Sequence, residues 1–258
     1  MSSSDDEDDF PKTLSRQGGA VVTEVGPGYV SKRGRRVTRN EAAAMRLVKD
    51  HTNVPVPGLF NAGFRTLNGE EIGQISMEKV EGVTLECAWE GYDDEAKAYM
   101  CKEIWHIVER LRRIPKPPEL SHLYQCGADG SPSKDVLIED LQSPPRPLLD
   151  DDALRARIYE RYYHSHGRLY ENTLPSMLPR SDISVFTHGD LTPRNIMVDQ
   201  GRITGVIDWE TAGWFPDYWE YANMMKPSGD EDWMWWMDNS KPTQWDIVGL
   251  VKARKVLF

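Results

Sequence analysis

Residues 185–210, VFTHGDLTPRNIMVDQGRITGVIDWE, constrain the fold more than any other stretch of the chain. Val185–Thr187, Asn195–Val198 and Ile203–Ile207 are short apolar runs, and Asp199-Gln200-Gly201 separates the last two. This pattern predicts a strand followed by a tight hairpin. The polar groups gather where strands end: Asp190 and Asn195 before the hairpin, Asp208 just beyond it. Pairing of the hairpin sets Asn195, at the start of its first strand, beside Asp208. An amide oxygen and a carboxylate so placed suit a hard cation such as Mg²⁺, which takes few protein oxygens and keeps waters or phosphate oxygens as its other ligands.

The 258 residues exceed one typical domain of about 150, which points to one large domain or to two lobes sharing a cleft. With 31 Lys plus Arg against 41 Asp plus Glu, the net charge of −10 repels phosphate backbones and anionic membranes, so neither a nucleic-acid nor a membrane partner is expected. Cys87, Cys101 and Cys126 show no metal-binding spacing and read as free structural thiols of a reducing compartment. No window approaches the roughly 18 apolar residues of a membrane span, and the start MSSSDD is the opposite of a basic leader. The expectation is a cytoplasmic protein.

Along the chain, residues 1–12 read as an acidic, solvated tail. AVVTEVGPGYVSKRG reads as two strands joined at Gly26-Pro27-Gly28. Thr38 and Glu41 form a capping-box pattern ahead of AAAMRLVKDH, a helix that Asn53-Val54-Pro55-Val56-Pro57 must end. Ile72 to Val80 reads as a further strand, so residues 13–82 form a small mixed lobe. Helical spacing then dominates, over Asp93–Ile114 and Asp150–Leu174, giving a helical lobe over 83–258. Seven of the nine tryptophans follow residue 208, as core or as an acceptor pocket, among Asp217, Glu220, Asp230, Glu231 and Asp232, which would suit a cationic acceptor.

The five positions from Asp190 to Asn195, with a later Asp208, match the phosphoryl-transfer arrangement of a catalytic Asp, an Asn and a metal-binding Asp, with Gly189 where protein kinases carry Arg. HGDLTPRN followed by GVIDWE closely resembles the aminoglycoside phosphotransferase and choline kinase superfamily. YVSKRG, NEAAAMRLV and the Val-Pro-Val-Pro run resemble the small lobe of its fungal-type members, so the resemblance spans about residues 20–225.

The resemblance implies an α+β, bilobal, protein-kinase-like fold with a small β-rich N-lobe and a larger helical C-lobe. It also implies an ATP-dependent, Mg²⁺-assisted O-phosphotransferase acting on a hydroxyl of a small molecule. By it, Asp190 is catalytic, Asn195 and Asp208 hold the metal, and His188 supports the loop. Lys32 contacts nucleotide phosphates and pairs with Glu41, while Met77, Glu78, Lys79 and Val80 form the hinge that reads adenine. The glycine-rich region is thin: Gly18-Gly19 and Gly26-Pro27-Gly28 are present, but the stretch between the acidic tail and Lys32 is short, so a full two-strand roof over the nucleotide is not expected. Hence a second reading is a degenerate, kinase-like binding protein. A third is a zinc hydrolase using His188, Asp190, Asp208 and Glu210. No DFG or APE sequence marks a protein kinase.

Overall fold

Antiparallel hairpins build the first lobe of the computed structural model, which describes residues 11–226 and 230–257. Strands β1 (Lys12–Gln17) and β2 (Ala20–Gly26) turn at Gly18-Gly19, and β3 (Tyr29–Gly34) pairs with β2. Helix α1 (Arg39–His51) follows, then β4 (Leu59–Leu67) and β5 (Glu70–Glu78), giving one sheet in the order β1-β2-β3-β5-β4. Two of these strands are absent from the sequence-based expectation. β1 escapes a period-2 reading because five of its six residues are polar or charged and nearly all are exposed. Its presence corrects the incomplete roof: β1 and β2 are both in place over the cleft. It also takes in Lys12, the last residue of the expected tail; residues 1–10 of that tail lie outside the described residues. β4 runs with β5 about Asn68-Gly69, whose φ angles of 51° and 82° are those that a tight hairpin turn demands.

Helix α1 begins after Thr38, whose backbone is extended, yet no side chain caps it. The capping box is therefore not formed. Glu41 turns instead to Lys32, because a buried ammonium binds a carboxylate more strongly than a backbone amide does. On the core face Ala44 and Val48 are buried while His51 is exposed. The Val-Pro-Val-Pro run ends the helix, and the Pro55 carbonyl accepts a bond from the Val206 amide of the second lobe.

The second lobe opens with β6 (Val83–Thr84), α2 (Leu85–Ala88) and α3 (Asp94–Arg112), capped by Asp93 onto the Ala96 amide. Next come β7 (Cys126–Gly127), α4 (Asp151–His164), α5 (Leu174–Met177), β8 (Ser184–Thr187), β9 (Ile196–Asp199), β10 (Arg202–Val206) and β11 (Gly213–Pro216). Helices α6 (Trp219–Met224), α7 (Glu231–Ser240) and α8 (Val248–Leu257) complete it. β10-β9-β6 and β7-β11-β8 form two small antiparallel sheets, and the expected hairpin is the pair β9–β10. No helix among the described residues is long and apolar enough to cross a membrane.

α4 stops ten residues short of its expected end at Leu174. His166 has φ +66° and the Gly167 amide bonds back to the Tyr162 carbonyl, so the chain leaves the helix there and Leu169 is 81% exposed. Gly167 lies on the Tyr162 ring, where a Cβ would fall 2.4 Å from it. Trp209, Trp214, Trp219 and Trp233 are buried, with Phe186 and Trp214 edge to face, so the tryptophans are chiefly core; only Trp235 is markedly exposed. Gly167→Ala is expected to destabilise the protein by about 1–3 kcal/mol through overpacking on Tyr162, read as a lowered urea midpoint with unchanged slope.

Candidate active site

The turn after β8 is held by side chains from three directions. Gly189 has φ +83°, and a Cβ there would sit 2.8 Å from the Thr211 carbonyl, so no arginine can take the place it occupies in protein kinases. Glu220 on α6, fully buried, accepts the amides of His188 at 2.7 Å and Gly189 at 3.1 Å. Asn223 donates to the Gly189 carbonyl at 2.7 Å. Burial drives the Glu220 carboxyl above its ordinary value, against the pull of His188 and the two amides. Glu220 and Asn223 are positioning groups that sequence reasoning missed. Only α6 packing behind the turn brings them there; in the sequence Glu220 stands merely as one acid of the stretch expected to suit a cationic acceptor.

His188 is wholly buried, with its ring edge to face on Trp209 at 4.5 Å. Its Nδ1 accepts the Asp190 amide at 3.2 Å and its Nε2 lies 3.0 Å from the Ile207 carbonyl, which can only accept, so Nε2 bears the proton. With both nitrogens engaged, His188 has no lone pair for zinc, and no cluster of three His, Cys, Asp or Glu side chains among the described residues is arranged for a metal. The zinc-hydrolase reading fails on this point. His188 instead spans from the turn to the hairpin that ends at Asp208.

The Asp190 carboxylate accepts Asn195 Nδ2 at 2.9 Å and Arg194 Nη2 at 2.7 Å, and Lys226 Nζ lies 3.9 Å away. Asn195 also donates to the Asp190 carbonyl at 2.8 Å. The Ile207 amide bonds the Asn195 carbonyl at 2.9 Å, closing the hairpin so that Asn195 and Asp208 stand at its open end. Asp208 itself is left-handed, φ 65° and ψ 61°, a conformation costly for a non-glycine residue and one that aims its carboxylate back at the sheet. The short helical turn Trp209–Thr211 then swings Glu210 round to the same side, 3.9 Å from Lys32 and bonded to Arg36. Alternation along an extended strand does not apply to it.

Lys32 Nζ lies 2.7 Å from Glu41 Oε1 and 2.7 Å from Asp208 Oδ1. Burial opposes its charge most, yet the two carboxylates together hold the ammonium above its ordinary value. Burial pushes the Glu41 carboxyl up to about 7, with Lys32 pulling the other way. Asp208, although buried, is kept below the usual carboxylate range by Lys32.

Lys32, Glu41, Asn195 and Asp208 line a cleft of about 420 Å³ between the lobes, roofed by residues such as Val22 and Val30 and walled by Met77, Glu78 and Val80. The Glu78 and Lys79 amides bond the carbonyls of Gly58 and Gly28, and the Glu78 carboxylate takes the Gly58 amide, while the Val80 amide has no backbone partner among the described residues. The donor set fits Mg²⁺. Asn195 directs its NH₂ to Asp190 and Asp208 gives Oδ1 to Lys32, which leaves Asn195 Oδ1 and Asp208 Oδ2 without a hydrogen bond among the described residues. Of the other acids, Asp232 pairs with Lys97 and Trp89, Asp230 caps α7, and Asp217 lies beside the Trp245 indole.

A family model described as "Phosphotransferase enzyme family" matches residues 15–244. Among solved structures, the apo form of a thermostable mutant of aminoglycoside phosphotransferase APH(4)-Ia is similar with a TM-score of 0.62, at 16% identity over 96% of this chain and 83% of that chain. The GDP complex of wild-type aminoglycoside 2′-phosphotransferase-IIIa gives 0.62 at 18% identity, covering 95% and 81%. The streptomycin–ATP–APH(2″)-IIa ternary complex gives 0.59 at 12% identity, covering 96% and 81%. No curated protein sequence matches significantly. These likenesses establish the kinase-like α+β fold, and the family match over nine-tenths of its length means that the chain belongs to the phosphotransferase enzyme family.

Proposed function

We propose that the chain transfers the γ-phosphoryl group of ATP to a hydroxyl of a small molecule. The observation that carries this reading is the pair of hydrogen-bonded groups that meet at the open end of one hairpin: Glu41 to Lys32 to Asp208, and Asn195 to Asp190. Residues 13–82 would hold the nucleotide and 83–258 the acceptor. Adenine would lie between β2, β3 and the Met77–Val80 hinge, with the Val80 amide as donor and the phosphates directed at Lys32. Asp190, fixed by Asn195, would take the proton of the acceptor hydroxyl as that oxygen forms its bond to the γ-phosphorus. The bond to the β–γ bridging oxygen breaks, and ADP leaves with the electron pair. Bound at Asn195 and Asp208, Mg²⁺ would supply charge neutralisation of the phosphates. The intact β1–β2 hairpin and the engaged Lys32 favour turnover over a binding-only relative. The acceptor is a small hydroxylated molecule, and the streptomycin complex of a structural neighbour favours one that bears amines.

Phosphate transfer from labelled ATP over a panel of hydroxylated compounds tests the reading. Asp190→Asn is expected to lower turnover by at least about 100-fold with ATP affinity nearly unchanged; parallel loss of ATP binding would make Asp190 a scaffold residue. Asp208→Ala should weaken Mg²⁺-dependent nucleotide binding, and an unaltered metal requirement counts against its role. Ionised Glu41 prevails above about pH 7 and is the form that holds Lys32. kcat/KM for ATP is therefore expected to decline as pH falls through that value, and Glu41→Gln should flatten this limb; a limb that survives the substitution belongs to another group.

A further inference from the structure

Asn40 precedes Glu41, and successive helical residues point about 100° apart, so one faces the second lobe while the other faces the sheet. The Asn40 side chain is buried, and its polar atoms bond only backbone groups of that lobe. Nδ2 donates to the carbonyls of Glu210 at 3.1 Å and Ala212 at 2.9 Å, and Oδ1 accepts the Ala128 amide at 2.6 Å. The two segments it joins are themselves paired, since Gly213 on β11 stands opposite Gly127 on β7. A Cβ at Gly127 would fall 2.5 Å from Asn40 Oδ1, so glycine there makes room for the contact. Asn40 thus ties α1 to the turn that begins one residue after Asp208. Lys32 is held at equal distance from Glu41 on that helix and Asp208 on that turn.

We infer that Asn40 is a positioning residue for the phosphoryl-transfer site: it docks α1 on the 209–212 turn with or without nucleotide, so the Lys32–Glu41 pair is assembled before ATP arrives. Helix capping does not explain Asn40, because the capping position belongs to Thr38. The inference rests on the reading that Lys32 and Glu41 serve the nucleotide.

Calorimetric titration of the full chain with Mg-ATP, for wild type, Asn40→Leu, Glu41→Gln and the double variant, tests it. Asn40→Leu should weaken ATP roughly 3- to 30-fold. If Asn40 acts through Glu41, the double variant binds within about twofold of Glu41→Gln alone. Losses that multiply, or an Asn40→Leu protein that is less stable in urea yet binds ATP normally, overturn the inference. A Glu41→Gln protein with wild-type ATP affinity overturns the nucleotide reading of the pair and the inference with it. Should Asn40→Leu fail to fold, hydrogen exchange of the wild type decides. The Ala128 amide, which Asn40 covers, should be equally protected with and without ATP, and protection that develops only with ATP overturns the proposal.

Discussion

One ammonium group organises the cleft. Lys32 brings β3 of the first lobe, α1 behind it and the end of the β9–β10 hairpin to a single point. Removing such a charge from water costs several kcal/mol, and removing one partner of a buried pair leaves the other uncompensated. Two carboxylates at 2.7 Å offset that cost, so the lobes cannot separate at this point without exposing or stranding a charge. Glu41 shows the strain of the arrangement: its second oxygen is buried without a hydrogen-bond partner among the described residues, and burial raises its carboxyl.

Around that point two residues are left-handed: Gly189, for which the conformation is free of steric cost, and Asp208, for which it is costly, and each is over-determined by its surroundings. Glu220, Asn223 and His188 bind the backbone on either side of Gly189, while Asp208 is gripped by Lys32 and its turn by Asn40. Local strain persists only where surrounding bonds exceed its cost. Here the bonds come from α1, α6 and the hairpin together, which ties the geometry of the cleft to the packing of both lobes.

The legible elements were those whose signal is local. The hairpin carrying Asn195 and Asp208 follows from apolar runs around Asp199-Gln200-Gly201, and α3 from its apolar spacing and the Asp93 cap. The Asn68-Gly69 turn of β4 and β5 is equally local, but β4 is exposed on much of its length and its weak alternation does not announce a strand. Spacing alone carries α4 on to Leu174 because Leu169 continues the helical pattern, whereas His166 at positive φ and the Tyr162 ring end the helix.

By itself, the sequence determined the chemistry available: an acid, an amide and a second acid at spacings that a hairpin turns into one oxygen-bearing site. It also determined that a lysine and a glutamate lie on neighbouring elements upstream. Only the tertiary structure decided which groups those side chains meet. Glu41 leaves its capping role for Lys32, Glu210 folds back to the cleft, and Glu220 turns from surface acid into the anchor of the turn after β8. The physical reason is that hydrogen-bond and ion-pair partners in a dry interior are set by which elements pack together, 9 residues apart for Lys32 and Glu41 but 176 for Lys32 and Asp208, and spacing along the chain carries no record of them.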